Sequence, residues 1–378
     1  MTTQTPSWPP TAGALKATFD ATAAYAVGLE DEVMLLDPED FELAPRAERV
    51  LSLLGDDTRF KLELPASQLE IVTPATPTVG EAVTALRHAR QELAQRTDGL
   101  VRLAAAGVHP TSPGSGKLNN LERYEHTVRE YGTLAARQLV CALQVHVSVG
   151  DATRALAVYN AARSYLPLLA ALAANAPFYE AHDTGLASLR PKLAELLPRQ
   201  GVPPELAGWD AYAEALHWGA ASDAFPDGRS WWWELRLHPT FGTLEFRVPD
   251  GQSTAGDAAA IAAVAQSLVA WLGERHDAGE RLAVDPSWRI AENRWCACRD
   301  GVDGTMVDLK SGHRRATREC LEALLAALEP FAGRLGASAY LAHAGTLMNV
   351  NGAISQRRVA ADSGIDAVPR WLTSRFLD

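Results

Sequence analysis

The sequence predicts an α+β domain whose largely antiparallel sheet packs against helices. Three observations lead there. Strand-like segments fall at about 24–36, 61–73, 141–149, 231–238 and 242–249, singly or as one adjacent pair, without the strand–helix alternation of a parallel sheet. Helical periodicity occupies about 78–106, 151–176, 254–277 and 317–334. At 378 residues, 47% apolar and 21% charged, the chain can bury a sizeable core.

In chain order, residues 1–18 are rich in Thr, Pro and Ser and read as a flexible arm, leaving 19–378 as a single domain. The first strand carries Glu30 and Glu32 on one face, because side chains alternate along a strand. Glu63 and Glu70 bracket the second. From Leu143 to Val149, Val and Leu alternate with polar residues, so Gln144, His146 and Ser148 share a face. In the last two strands Glu234 and Arg236 oppose Trp233, Leu235 and Leu237, and Glu245 and Arg247 oppose Leu244, Phe246 and Val248. The helix at 254–277 opens on Thr254-x-x-Asp257, a capping box ahead of an alanine-rich run.

Charge narrows the partners. With 35 basic and 46 acidic residues the net charge is −11, so nucleic acid and anionic membrane surfaces are excluded as partners. A bound polyanion would need local arginines and metal ions. The cysteines, Cys141, Cys296, Cys298 and Cys320, include one C-x-C pair but no zinc spacing, and read as reduced thiols. The N-terminus has no apolar signal segment, and Tyr165–Phe178 is too short and interrupted to span a bilayer. A cytoplasmic enzyme is the expectation.

A sheet face carrying several acids, arginines and a histidine suits phosphoryl transfer. Gathered carboxylates repel unless cations sit between them, and Mg²⁺ takes hard oxygen ligands while leaving room for phosphate. Arginines supply two-pronged grips on carboxylate or phosphate. The same patterns also arise as solvated faces or cross-strand ion pairs, so the residues alone leave both readings open. Neither a P-loop nor a G-x-G-x-x-G is present.

Seven segments, in order from about Tyr25 to the C-terminus, resemble one family. They are Gly28-Leu29-Glu30-Asp31-Glu32, the stretch Glu63–Thr73, Gly107-Val108-His109-Pro110, Glu122-Arg123-Tyr124, the loop Asp183–Pro191, Phe241–Val248, and Glu292-Asn293-Arg294-Trp295 with Arg299-x-Gly301. The family is the type 2 glutamate–cysteine ligases, YbdK-like carboxylate–amine ligases with a glutamine-synthetase-like catalytic fold and a sheet curved around the active site. The resemblance implies ATP and Mg²⁺ (or Mn²⁺) as cofactors, and small-molecule carboxylate and amine substrates, glutamate and cysteine leading. It is compatible with a homo-oligomer. It implies that Glu30, Glu32, Glu63, Glu70, His146, Glu245 and Gln144 hold metal, and that Glu30, Glu32, Asn293 and Arg294 meet the nucleotide. Arg123, Arg190, Tyr124 and Arg236 would bind substrate, and Arg247, Arg190 and Glu245 would be catalytic. The implied chemistry is amide formation through an acyl phosphate. Two positions depart: Gln144 stands where relatives often have His, and Ala66 where a polar residue is common. The alternatives are a ligase for another amino acid–amine pair, and a non-catalytic nucleotide- or amino-acid-binding relative.

Overall fold

The computed structural model describes residues 8–225 and 227–378, with the side chains of Arg123 and Arg229 outside that description. The strands are β1 (Val27–Leu36), β2 (Phe60–Leu62), β3 (Gln68–Val72), β4 (Arg102–Ala104), β5 (Leu143–Ser148), β6 (Phe178–Tyr179), β7 (His182–Asp183), β8 (Leu235–His238), β9 (Thr243–Phe246), β10 (Thr305–Val307) and β11 (Arg314–Ala316). The first half of the chain contributes helices α1 (Ala12–Asp20), α2 (Ala47–Leu54), α3 (Val79–Arg96), α4 (Glu122–Tyr131), α5 (Ala152–Ala162) and α6 (Leu166–Leu172). The second contributes α7 (Arg190–Ala194), α8 (Trp209–Ala221), α9 (Ala255–Asp277), α10 (Ser287–Asp300), α11 (Thr317–Arg334), α12 (Ser338–Val350), α13 (Gly352–Ser363) and α14 (Val368–Arg375).

The main sheet runs β2-β3-β1-β5-β9-β8, with β4 also on β1, and every pairing is antiparallel. Its apolar face carries Leu29, Val33, Leu69, Ile71, Val145, Val147, Leu237, Leu244 and Phe246, all buried in one cluster. Helices α3, α5 and α9 pack beneath it. The alanines of α9 let these helices approach closely. This helix is long and apolar enough to cross a membrane, but most of it lies inside the core. The Thr254 hydroxyl accepts from the Asp257 N–H at 2.9 Å, the cap read from the sequence.

Several expectations change. The described part of the arm expected over 1–18 is not a loose segment: residues 12–20 form α1, with Leu15 and Phe19 fully buried and Phe19 packed 4.9 Å from Trp209. Amphipathic Leu and Phe outweigh the Thr/Pro composition, and residues 1–7 lie outside the described residues. The helix expected over 78–106 stops at Arg96. The Thr97 hydroxyl donates to the Leu93 carbonyl, Gly99 takes φ +73°, and the chain re-enters the sheet as β4. Pro65 divides the expected second strand into the β2–β3 pair, since proline lacks the N–H a ladder needs. The expected 231–238 strand begins only at Leu235.

On the apolar side, Arg90 of α3 ties distant segments together. It donates from Nε to Asp31 (2.9 Å), and from its terminal nitrogens to the carbonyls of Gln252 (3.0 Å) and Phe376 (3.1 Å). Its guanidinium also lies 4.6 Å from the Phe376 ring centroid.

If α1 is integral to the core, Leu15→Ala should lower unfolding free energy by about 2–5 kcal/mol, the usual cost of a buried leucine cavity. Denaturant titration reads this directly; a midpoint unchanged from wild type would return residues 12–18 to the status of a loose arm.

Candidate active site

Antiparallel register assembles the polar face. Glu32 pairs across with Glu70 and Glu30 with Gln144. His146 pairs with Glu245, and Glu245 with Arg236. With period-two alternation, these pairings bring residues far apart in sequence onto one side of the sheet. Of these, Glu30, Glu32, Glu70, Gln144 and Arg236 line a cavity of about 440 Å³ together with Lys61, Glu63, Tyr124, Trp232, His238, Phe241 and Arg247, while His146 and Glu245 are buried beside Glu30. A hollow of similar size, about 480 Å³, between Glu42, Ser67 and Lys117 has no such gathering of acids and guanidiniums.

The tightest group is Glu30, His146 and Glu245, whose ligand atoms all lie within 4.8 Å of one another. His146 Nδ1 is hydrogen-bonded to the Thr243 hydroxyl at 2.9 Å. Its buried Nε2 has no hydrogen-bond partner and sits 3.4 Å from Glu30 Oε1. Where Nδ1–H donates to Thr243, the Nε2 lone pair faces carboxylate oxygens and a cation is needed between them; where Nε2 carries the proton, it pairs with Glu30. That orphaned nitrogen is the observation that fits a metal ion. Burial acts to raise the Glu30 carboxyl, but the neighbouring His146 outweighs it and holds the pKa down to about 2.

Glu245 is fully buried and heavily compensated. Arg236 grips it with two nitrogens, at 2.5 and 2.8 Å, and Arg247 pairs with it from the cavity side. Burial would raise its carboxyl, yet Arg236 and Arg247 push it well below the usual range. Glu32 accepts from the Ala142 N–H (2.6 Å) and the Gln144 amide (2.8 Å), and burial lifts its pKa despite the nearby Arg190 charge. Among the described residues, Glu70 is paired by a 3.4 Å contact to the half-exposed Lys61. Burial, then repulsion from Glu30 and Glu63, pushes it well above an ordinary carboxyl.

Other expected site residues lie differently. The Gln144 oxygen accepts from Arg247 while its amide donates to Glu32, so it spaces those two groups and stands outside the Glu30–His146–Glu245 cluster. Arg236 reaches the cavity but is occupied by Glu245. Tyr124 lines it and donates its hydroxyl to the Leu62 carbonyl at 2.9 Å. Arg123 falls on α4, its side chain outside the description. Arg190 lies in an annex of about 80 Å³ that shares Glu32, Trp232 and Arg247 with the main cavity. There it donates to the Arg247 carbonyl at 2.7 Å, while its buried Nε has no partner.

Asn293 and Arg294, expected at the nucleotide, are not brought to the cavity. Asn293 exchanges two 2.7 Å hydrogen bonds with the Val307 backbone and so braces β10. Arg294 is locked to Glu234 behind the annex at 2.7 Å. Both sit on the buried face of α10, where an unpaired amide or guanidinium would be costly. Conversely, Lys61, His238 and Trp232 line the cavity without having been singled out. Trp232 and His238 share the two-residue alternation of Glu234 and Arg236, and Lys61 stands two residues before Glu63, a signal that could have found all three.

The chain is similar to known proteins over nearly its whole length. The sequence model of glutamate-cysteine ligase family 2 matches residues 26–367. A Rubrobacter xylanophilus protein named "Putative glutamate--cysteine ligase 2-3" is 36% identical over 361 residues, covering 93% of this chain and 96% of its own. A Thermobifida fusca protein named "Putative glutamate--cysteine ligase 2" is 32% identical over 354 residues, covering 92% and 89%. Among solved structures, glutamate–cysteine ligase of Francisella tularensis in complex with AMP superposes with a TM-score of 0.70 at 11% identity, covering 93% of this chain and 89% of that one. A bifunctional glutathione synthetase from Pasteurella multocida gives 0.67 at 15% identity, covering 97% and 53%. At those identities the structural likeness is one of fold. The sequence matches go further: the chain belongs to glutamate–cysteine ligase family 2, and is an ATP-dependent carboxylate–amine ligase.

Proposed function

We propose that the protein joins the carboxylate of an acidic amino acid, glutamate first, to the amine of a second amino acid, cysteine first, using Mg·ATP. The observation that carries this reading is the orphaned Nε2 of His146 between Glu30 and Glu245, beside an arginine-lined annex. The family description and the relatives' names support the substrate pair. Four free cysteines support a cytoplasmic location.

In this reading Glu30, His146 and Glu245 hold one Mg²⁺, with Glu32, Glu63 and Glu70 available to another. Bound there, Mg²⁺ would neutralise phosphate charge and polarise the transferring group. Arg247 stands between the acids and the annex, held by Gln144 and Glu245, and supplies a fixed positive charge to the phosphoryl group. Arg190, with a buried nitrogen still free to donate, holds the substrate's acidic end. The substrate carboxylate attacks the γ-phosphorus of ATP and ADP leaves; the amine then attacks the acyl phosphate and phosphate leaves. No protein nucleophile is required. Consistently, Cys141 and Cys298 are buried, and burial raises both thiols.

The direct test is ADP release from ATP that requires Mg²⁺, an amino acid and an amine together; turnover indifferent to the amine would sink the ligation reading. Glu30→Gln is a cleaner metal-site probe than Glu245→Gln, which would strand the buried Arg236 charge. It should cut kcat by about 100-fold or more; because folding lowers the Glu30 pKa, some melting temperature is lost at neutral pH as well, and circular dichroism checks that the fold is kept. Retained activity would move the metal elsewhere.

Glu70 gives a prediction with a defined sign. Its folded pKa is raised, so its contribution to stability is intact below the unfolded value of about 4.3 and is lost as pH rises through the folded value. In metal-free protein, Glu70→Gln should therefore raise the melting temperature by roughly 1–3 °C at pH 8 and by nothing measurable near pH 4.5. Added Mg²⁺ should stabilise wild type more than the variant. Destabilisation at pH 8 would mean the Lys61 contact outweighs burial.

Arg190→Lys should raise KM for the acidic substrate roughly 5- to 100-fold, because an ammonium cannot reproduce the two-pronged grip. KM for ATP should move far less. Equal shifts in both constants would assign Arg190 to the nucleotide or to the backbone it holds.

A further inference from the structure

At the mouth of the cavity, the turn joining β8 to β9 exposes an aromatic surface that the reading above does not use. Phe241 is 51% exposed. One face is stacked on the His238 imidazole, with centroids 4.1 Å apart and planes 7° from parallel. The His146 ring meets both edge-on, at 5.7 Å from Phe241 and 5.6 Å from His238.

The turn is held rigidly in this exposing geometry. His238 Nδ1 accepts from the backbone N–H groups of Thr240 (3.3 Å) and Phe241 (3.1 Å), which places the ring proton on Nε2. Gly242 takes φ +65°, and a Cβ there would come within 2.6 Å of the Thr18 carbonyl oxygen on α1. Glycine is thus required on both counts, and α1 blocks the turn from collapsing. A preorganised aromatic with an exposed ring offers a surface on which a flat π-system can stack.

His146 supplies the register. Its Nε2 faces the Glu30–Glu245 cluster, where phosphates would meet metal, while its ring edge touches the aromatic pair. A ligand with an anionic tail at that cluster and a planar base at the rim has the chemistry of a nucleotide. We propose that Phe241, backed by His238, is the shelf on which the purine ring of the nucleotide stacks. This rests on the ATP-dependent ligase reading for the identity of the nucleotide, and goes beyond it in assigning the base.

Calorimetric binding of Mg·ADP and of Mg·pyrophosphate to the intact protein separates base from phosphate. Phe241→Leu keeps apolar bulk and removes the π face; Phe241→Ala removes both. Each should weaken Mg·ADP about tenfold while leaving Mg·pyrophosphate within about twofold, and Phe241→Tyr should bind Mg·ADP within about threefold of wild type. The shelf is overturned if Phe241→Leu, with a wild-type circular dichroism spectrum, binds Mg·ADP unchanged. It is equally overturned if pyrophosphate affinity falls in parallel, or if wild type binds no Mg·ADP. Because binding is read without turnover, loss of the shelf with ligase activity intact is distinguishable from absence of ligase activity with the shelf intact.

Discussion

Like charges brought together in a buried place must be neutralised, and the polar face of this sheet is organised by that requirement. Strand register sets Glu70 against Glu32 and His146 against Glu245, with Glu30 one step away, in surroundings where isolated carboxylates would cost several kcal/mol each. The compensation is uneven. Glu245 has two guanidiniums and Glu32 two N–H donors, whereas Glu70 has one loose ammonium and Glu30 one imidazole. Glu245 and Glu32 are the better compensated and Glu70 and Glu30 the less, so the face as a whole still calls for cations from outside the chain.

Much of this was legible in the sequence because period-two alternation is a strong local signal. Leu143 to Val149 alternates without a break, and Gln144, His146 and Ser148 do share a face. Register is non-local, so nothing in the string says that Glu245 falls opposite both His146 and Arg236. The errors have physical causes of the same kind. Residues 97–106 continue an apolar pattern that a helix could use, but Gly99 ends it and β1 offers an open edge for β4. Asn293 and Arg294 stand in a motif, and their contacts to Val307 and Glu234 lie at separations of 14 and 60 residues that no local pattern encodes.

Gln144 illustrates how a departure from a family pattern can be accommodated. An amide has a donor and an acceptor on one planar group, so it can satisfy a carboxylate and a guanidinium together. It does so here between Glu32 and Arg247, without carrying a charge of its own. A histidine there would change protonation near neutrality and could alter the balance between those two groups. Gln144 thus makes between these groups a contact that does not titrate.

The Arg90 clamp bears on how the molecule forms. It joins Asp31 to Phe376, and the strand that carries Asp31 takes partners from β3, β4 and β5. Closing such long loops costs chain entropy before any contact compensates, which slows folding relative to chains dominated by local contacts. Helices such as α9 and α11 can form from nearby residues alone. The strand bearing Glu30 and Glu32 is completed only when β3, β4 and β5 reach it, and Arg90 then joins its Asp31 to Phe376. Helix content and an assembled acid face are consequently separate milestones on the way to the native state.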